Sequence, residues 1–172
     1  MRLRKLKNVD ERLQARTDLV VFAPENYRGK WREQFHNDNP IYLEIGMGKG
    51  KFIIENALRY PDINFIGLEK EKSVLVKAVE KVEVRPSNLL MISADAVNIL
   101  NMFAEKEITK IFLNFSDPWP KSRHTKRRLT YSSNLDNYQK ILIDEGTIAF
   151  KTDNRHLFEY SLTSFTSQGF QM

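Results

Sequence analysis

Five short apolar runs, separated by segments of helical periodicity, constrain the fold of this chain more than any other feature of its sequence. The runs are nearly continuous in apolar character and span residues 41–45, 63–68, 89–92, 111–115 and 147–151. Runs of this kind are typical of strands that are buried on both faces of a parallel sheet. The sequence therefore predicts an α/β fold with a doubly wound, mostly parallel sheet.

The segments between the runs place apolar residues on one helical face. They predict helices carrying Phe52, Ile53, Ala57 and Leu58; Val74, Leu75, Ala78, Val79 and Val82; Ala96, Ile99, Leu100 and Phe103; Leu135, Tyr138, Ile141 and Leu142; and Leu157, Phe158, Ser161, Leu162 and Phe165. At 172 residues a single domain over 1–172 is expected. Residues 1–40 are interpreted as an N-terminal basic extension with a short helix, and residues 41–172 as the core.

Residue types that are missing exclude several classes of protein. The chain has no cysteine, which excludes disulfides, thiolate metal sites and a cysteine nucleophile. Its three histidines have no ligand spacing, so no metal site is expected, and no G-x-S-x-G motif supports acyl transfer. The sequence has neither an apolar run long enough for a membrane helix nor a signal peptide, and a cytoplasmic location is expected.

The positive charge lies in two patches. Residues 1–16 contain six basic side chains against two acids, and residues 121–128 contain five basic side chains and no acid. The whole chain has a formal net charge of only +5, so the remainder is mildly acidic. Such patches are consistent with binding to a polyanion, although charge runs are more often solvated surfaces.

Acidic residues lie at or just after the ends of the first three apolar runs, at the sheet edge where ligands bind in this class of fold. Glu44 precedes a turn with glycines at 46, 48 and 50, Glu69 follows the second run, and Asp95 follows the third. A carboxylate beside the turn would repel a pyrophosphate and favours a ligand with an amino group and a sulfonium. Glu69 is placed to accept hydrogen bonds from a ribose.

These three acids together fit S-adenosylmethionine better than NAD or ATP. Lys51 also stands where the dinucleotide fingerprint requires glycine. Two alternatives stay open at this point: a glycine turn without a ligand, and Asp95 as a simple helix N-cap.

Asp117 begins a stiff loop after the fourth run, in the sequence Asn114-Phe115-Ser116-Asp117-Pro118-Trp119-Pro120-Lys121. Two prolines around a tryptophan restrict the backbone at the edge where catalysis is expected. The second basic patch follows at once, and Asp153 comes after the fifth run. The predicted site therefore has acidic residues on its floor and a basic rim.

Three motifs together resemble the bacterial tRNA (guanine-N7-)-methyltransferase family. They are E-I-G-M-G-K-G at 44–50, N-F-S-D-P-W-P-K at 114–121 with its basic tail to Leu129, and F-K-T-D-N at 150–154. The glycine motif is common to many methyltransferases, whereas the D-P-W-P-K segment is far more specific. The resemblance implies a Rossmann-like fold and transfer of a methyl group from S-adenosyl-L-methionine to N7 of guanosine at position 46 of tRNA.

The resemblance also implies roles for individual residues. It implies cofactor binding by Glu44, Gly46, Gly48, Glu69, Asp95 and Asp117, with Asp117 also catalytic. It implies substrate binding by Lys121 and Asp153, and RNA binding by Arg123, His124, Thr125, Lys126, Arg127 and Arg128.

The sequence departs from the family pattern at its C-terminal end. The family continues past a sixth strand to a T-x-Y-E motif, which this sequence does not contain. We therefore expect a core that is truncated at the C-terminus, with an incomplete edge hairpin and a sheet edge that is exposed unless a partner covers it. Homo-oligomerisation is left open. So are methylation of another RNA or a small molecule and, as a different class, a non-catalytic RNA-binding module.

Overall fold

Six strands form one parallel sheet in the computed structural model, which describes residues 6–172. The strands are β1 (Val20–Val21), β2 (Ile41–Ile45), β3 (Asn64–Glu69), β4 (Leu89–Ser93), β5 (Ile108–Asn114) and β6 (Leu142–Lys151), in the spatial order β1-β4-β3-β2-β5-β6. Every neighbouring pair is parallel. The chain extends in one direction from β2 to β4 and then crosses to β5, so the strand order reverses between β2 and β5.

Helices cover both faces of this sheet. They are α1 (Val9–Gln14), α2 (Trp31–Phe35), α3 (Lys51–Arg59), α4 (Lys72–Lys81), α5 (Ile99–Met102), α6 (Ser132–Ile141) and α7 (Arg155–Ser167), with short 3-10 helices at Pro24–Tyr27, Ala96–Asn98 and Ser122–Arg127. One core contains residues of α2, α5, α6 and α7, and the other contains residues of α1, α3 and α4. The predicted doubly wound α/β architecture is confirmed, and the sheet is wholly parallel.

The N-terminal segment differs from the predicted extension because part of it belongs to the sheet and the core. Val20 and Val21 pair with Met91 and Ile92 of β4. The Trp31 side chain is fully buried, and its Nε1 donates a hydrogen bond to the Met102 carbonyl at 2.8 Å. A two-residue strand is too short to produce a recognisable periodicity. Residues Arg2, Arg4 and Lys5 of the predicted basic patch lie outside the described residues.

The last strand is twice as long as predicted and lies at the edge of the sheet. β6 begins at Leu142, and its pairing with β5 shifts in register between Ile108 and Lys110. Within residues 6–172 it pairs with β5 alone. Beside it lies a groove of about 930 Å³, which is lined by Ile148 of β6, Phe158 of α7 and residues of the C-terminal end. The exposed edge that the sequence predicts is therefore present in the described part of the chain.

None of the helices formed by residues 6–172 has both the length and the apolar character needed to span a membrane.

Removal of the Trp31 ring should show that the N-terminal segment stabilises the core. We expect W31A to lower the free energy of unfolding by about 3–5 kcal/mol, because it leaves a cavity and an unpaired Met102 carbonyl. The measurement is urea unfolding followed by circular dichroism. V84A, at a residue that is 87% exposed, is the control and should change stability by less than about 0.5 kcal/mol. Equal effects of the two substitutions would contradict this role.

Candidate active site

The carboxyl ends of β2 to β6 bring the predicted site residues to one edge of the sheet. Glu44 lies near the end of β2, Glu69 ends β3, and Asp95 follows β4 by two residues. Asp117 lies in the loop after β5, and Asp153 lies two residues beyond β6. Since all the strands are parallel, these five acids share the edge at which the strand order reverses, where ligands bind in such folds.

The turn after β2 has a conformation that requires glycine. Gly46, Gly48 and Gly50 have φ angles of 73°, 58° and 78°, in the left-handed region that L side chains rarely adopt. At Gly50 a Cβ atom would also lie 2.9 Å from the Cβ of Ala78 on α4. The glycines therefore let the chain turn sharply into α3 and leave backbone atoms of the turn accessible at the sheet edge.

Glu44 is a buried carboxyl group with an unused oxygen. Its side chain is 3% exposed, its Oε1 accepts a hydrogen bond from Asn114 Nδ2 at 3.2 Å, and its Oε2 has no partner among the described residues. Burial raises the pKa of Glu44 to about 8; the hydrogen bond from Asn114 opposes that rise, and nearby Glu69 adds to it. An unpaired buried polar atom is costly, and at the ligand-binding edge of the sheet Glu44 Oε2 is an acceptor that a donor group of a ligand can satisfy.

Glu69 joins the ends of β3 and β2. Its Oε2 accepts a hydrogen bond from the Gly48 amide at 2.9 Å, and its Oε1 accepts one from the Glu71 amide at 3.0 Å. Glu69 therefore holds the glycine turn in place. Each carboxylate oxygen keeps a second lone pair that can accept a further hydrogen bond.

Asp95 caps a helix and forms an ion pair. Its Oδ1 accepts a hydrogen bond from the Val97 amide at 3.0 Å at the start of the 3-10 helix, and its Oδ2 lies 3.3 Å from Lys70 Nζ. The N-cap alternative that the sequence left open is therefore present in the structure. A capping carboxylate at the ligand edge can also contact a ligand with its free lone pairs.

The loop after β5 presents an exposed aromatic ring and an exposed acid. Phe115 is 65% exposed, and Asp117 is exposed as well. Phe115 and Trp119 have φ angles of 53° and 43°. Bulky residues rarely adopt the left-handed region, and such strain is concentrated at functional sites.

The second basic patch forms a 3-10 helix beside this loop. Lys121, Arg123, Lys126 and Arg127 are exposed, and the Arg127 guanidinium lies 5.0 Å from the Trp119 ring centroid. His124 packs edge-on against the same ring at 5.6 Å. The Thr125 hydroxyl donates to the Ser122 carbonyl at 2.7 Å and so stabilises the helix.

Arg128 differs from the rest of the patch because its side chain is turned toward the protein. Its guanidinium donates hydrogen bonds to the carbonyls of Pro118 and Trp119 and lies over the Tyr160 ring.

Basic residues in and just after α1 contact the protein body. Arg12 forms two hydrogen bonds of 2.6 Å with Glu80 of α4. Arg16 bonds with Asp18 and donates to the carbonyls of Val79 and Val82. These contacts pack α1 against α4, and the described part of the first patch is largely structural.

The sequence did not predict the roles of three residues at this edge. Asn114 bonds Glu44, Phe115 exposes its ring, and Arg128 bonds the carbonyls of the Asp117 loop. A polar residue at the end of an otherwise apolar strand was a usable signal for Asn114. Nothing in the sequence separates Arg128 from the arginine before it. Among residues 6–172 no group of three histidine or carboxylate side chains could hold a metal ion.

Comparison with known proteins identifies relatives over almost the whole chain. A family described as "Putative methyltransferase" matches residues 38–171. The chain is 52% identical over 170 residues to the tRNA (guanine-N(7)-)-methyltransferase of Geobacillus sp. (strain WCH70), covering 98% of this chain and 77% of that protein. It is 50% identical over 170 residues to the protein of that name from Oceanobacillus iheyensis, covering 98% of this chain and 80% of that protein.

A solved structure of an antibiotic-related methyltransferase has the same fold. Its TM-score is 0.63 at 16% identity, and the match covers 83% of this chain and 75% of that one. Because the family match spans most of the residues and the relatives are about half identical over nearly all of them, the chain belongs to the tRNA (guanine-N(7)-)-methyltransferase family.

Proposed function

We propose that this protein transfers a methyl group from S-adenosyl-L-methionine to N7 of guanosine at position 46 of tRNA, in the cytoplasm. The observation on which the proposal rests is the buried Glu44 carboxyl, which lies beside a glycine turn, accepts a hydrogen bond from Asn114 at the end of β5 and has an Oε2 without a partner among the described residues. The family match and the names of the relatives support the reaction.

The side chains at the sheet edge fit this cofactor. Glu44 Oε2 is a buried acceptor without a partner, which suits the α-ammonium group of the methionine moiety. Glu69 and Asp95 keep free lone pairs that would accept hydrogen bonds from the ribose hydroxyls and the adenine amino group of the cofactor. When bound, the cofactor supplies an electrophilic methyl group on a sulfonium, and the acidic floor suits that positive charge.

The acceptor atom explains why no histidine base is needed. N7 of guanine has a lone pair and no proton, so its attack on the methyl group requires no general base. The protein contributes in-line positioning and negative charge near a purine that becomes cationic, and positioning alone can lower a barrier by roughly 7–11 kcal/mol. Asp117 would accept hydrogen bonds from N1 and the 2-amino group of guanine, a donor pair that adenine lacks.

Phe115 and Trp119 are surfaces on which the unstacked base could rest. Enzymes that modify a base take it out of its stack and hold it against aromatic or apolar side chains. Phe115 is the more exposed of the two, since one side of the Trp119 ring already contacts Arg127. Phe115 is therefore our first choice for the stacking residue.

The direct test is an assay with a tritium-labelled methyl group on the cofactor, followed by mapping of the labelled nucleoside. We expect label at N7 of guanosine 46 in tRNA transcripts, and none when that guanosine is replaced by 7-deazaguanosine. Label in ribosomal RNA and not in tRNA would refute the proposed substrate. Failure to bind the cofactor at all would favour the non-catalytic alternative.

Substitution of Asp117 tests its contact with the base. We expect D117N to lower kcat/KM by about 10²–10³-fold, because the amide removes the charge and one acceptor. D62N, at an exposed acid in the turn before β3, is the matched control. Inosine at position 46 lacks the 2-amino group. Replacing guanosine by inosine should therefore lower kcat/KM strongly in the wild type and only slightly in D117N. An equal inosine penalty in both proteins would show that Asp117 does not contact that group.

Cofactor binding should release a proton near pH 7. With a pKa of about 8, Glu44 is mostly neutral in the free protein, and an ammonium group beside Oε2 would favour the ionised form. Most of one proton should therefore be released at pH 7, and cofactor affinity should rise as the pH increases from 6 toward 8. Calorimetry in two buffers with different ionisation enthalpies measures this release.

The controls for that measurement are E44Q and E55Q. E44Q should bind the cofactor more weakly at pH 8 and lose the proton release, whereas E55Q changes an exposed acid of α3 and should behave like the wild type. A binding enthalpy that does not depend on the buffer would contradict the role of Glu44.

The exposed basic residues should determine the salt dependence of tRNA binding. Each phosphate contact adds about 0.7 to the slope of log K against log salt for single-stranded RNA, so K126A/R127A should lower the slope by about 1.4. The affinity for the cofactor should not change. R32A, at an exposed arginine of α2, is the control. An unchanged slope in K126A/R127A would mean that this patch is only a solvated surface.

A further inference from the structure

Arg128 makes the contacts that hold the Asp117 loop. Its Nε donates to the Pro118 carbonyl at 3.1 Å and to the Trp119 carbonyl at 3.3 Å, and one terminal nitrogen donates to the Trp119 carbonyl at 3.0 Å. Among the described residues, these are the hydrogen bonds that residues 116–120 receive. Residues 116–120 thus receive their hydrogen bonds from a single side chain, whereas Phe115 before them is held by its amide, which donates to the Lys151 carbonyl at 2.8 Å.

The conformation of the loop explains why such contacts are needed. Trp119 has a φ of 43°, which is unfavourable for a residue with a bulky side chain, and Phe115 at the other end of the loop has a φ of 53°. Such conformations persist only when the surrounding structure holds them. The guanidinium bonds the carbonyl of Trp119 itself and that of the residue before it, so it acts at the strained position.

Arg128 is itself held firmly in place. Its guanidinium lies 4.4 Å from the Tyr160 ring centroid on α7. Its carbonyl accepts hydrogen bonds from Asn134 Nδ2 at 2.9 Å and from the Tyr131 amide at 3.0 Å, at the start of α6. The clamp, which we define as Arg128 with Tyr160, therefore connects the loop to two helices of the core.

The two residues after Arg128 extend this connection. The Thr130 hydroxyl lies 2.7 Å from the Ser161 hydroxyl of α7, and both groups are buried. The side chain of Leu129 lies beside the glycine turn, where its Cδ1 would be 3.7 Å from a Cβ on Gly46. One short segment thus contacts the Asp117 loop, the glycine turn and α7.

We propose that Arg128 is a positioning residue, which fixes the backbone of the Asp117 loop for methyl transfer, and not a phosphate contact like its neighbour Arg127. The proposal extends the proposed function, because it concerns the same loop. The two arginines are adjacent and of equal charge, but Arg127 is exposed and lies over the Trp119 ring, whereas Arg128 is half-buried and bonds backbone carbonyls.

The first test needs no activity and measures the loop itself. The chain has two tryptophans, and Trp31 is fully buried, so acrylamide quenching of fluorescence reports on Trp119. We expect R128A to raise the quenching constant at least twofold and R128K to give an intermediate value, because an ammonium cannot bond two carbonyls and stack on a ring as a guanidinium does. Thermal unfolding run in parallel identifies any variant that does not fold.

The second test separates positioning from RNA binding. With saturating tRNA, R128A should lower kcat by roughly ten- to hundredfold, as expected for a displaced catalytic loop, while the salt slope of tRNA binding stays at the wild-type value. R127A should instead lower that slope by about 0.7 and raise KM. Guanidinium ion added at low concentration should restore part of the kcat of R128A, and sodium chloride at the same concentration should not.

Tyr160 supplies an independent check that does not alter a charge. Y160L removes the ring under the guanidinium and should change quenching and kcat in the same direction as R128A, whereas Y160F keeps the ring and should have the smaller effect. The proposal is overturned if R128A lowers the salt slope as much as R127A does and leaves quenching unchanged. If the wild type does not methylate tRNA, the proposed function fails, and the quenching experiment still tests the clamp.

Discussion

The parallel pairing of β2 with both β3 and β5 is the constraint on which the rest of the structure depends. It brings the ends of three strands together and places Glu44 between Glu69 on one side and Asn114 on the other. A carboxyl group in that position is buried by the fold itself. Its pKa is raised because the sheet and its helices remove water around it, and the loops need only supply the remaining ligand contacts.

The sequence predicted the features that depend on local pattern. Continuous apolar runs located β2 to β5 to within a few residues, because a strand buried on both faces contains few polar positions. The three glycines predicted the turn, since few other residues adopt its φ angles. The two ends of the sheet were less predictable. β1 has two residues, and the first half of β6 contains Asp144, Glu145 and Gly146, which interrupt the apolar pattern.

The sequence also could not predict which basic side chains are exposed and which form ion pairs. Both basic patches carry a comparable excess of positive charge, yet in the described residues Arg12 and Arg16 form ion pairs with Glu80 and Asp18, whereas Arg127 is exposed at the sheet edge. Which basic side chains stay available to a polyanion depends on the acids that are close to them in space, and these can be near in sequence, as Asp18 is to Arg16, or distant, as Glu80 is from Arg12. The Arg12–Glu80 pair cannot be found from a local charge count, because 68 residues separate the two.

The Asp117 loop combines two opposing physical requirements. Its backbone must be rigid, because N7 of guanine needs alignment with the methyl group more than it needs proton transfer. Its side chains must stay exposed, because an RNA base has to reach them. A loop packed into the core would satisfy the first requirement and fail the second. Two prolines restrict the backbone, and the half-buried Arg128 donates hydrogen bonds to its carbonyls, so the side chains of Phe115 and Asp117 stay exposed. A side chain packed against a core helix can thus stiffen the loop without covering it, and Arg128, which lies over the Tyr160 ring of α7, meets that requirement.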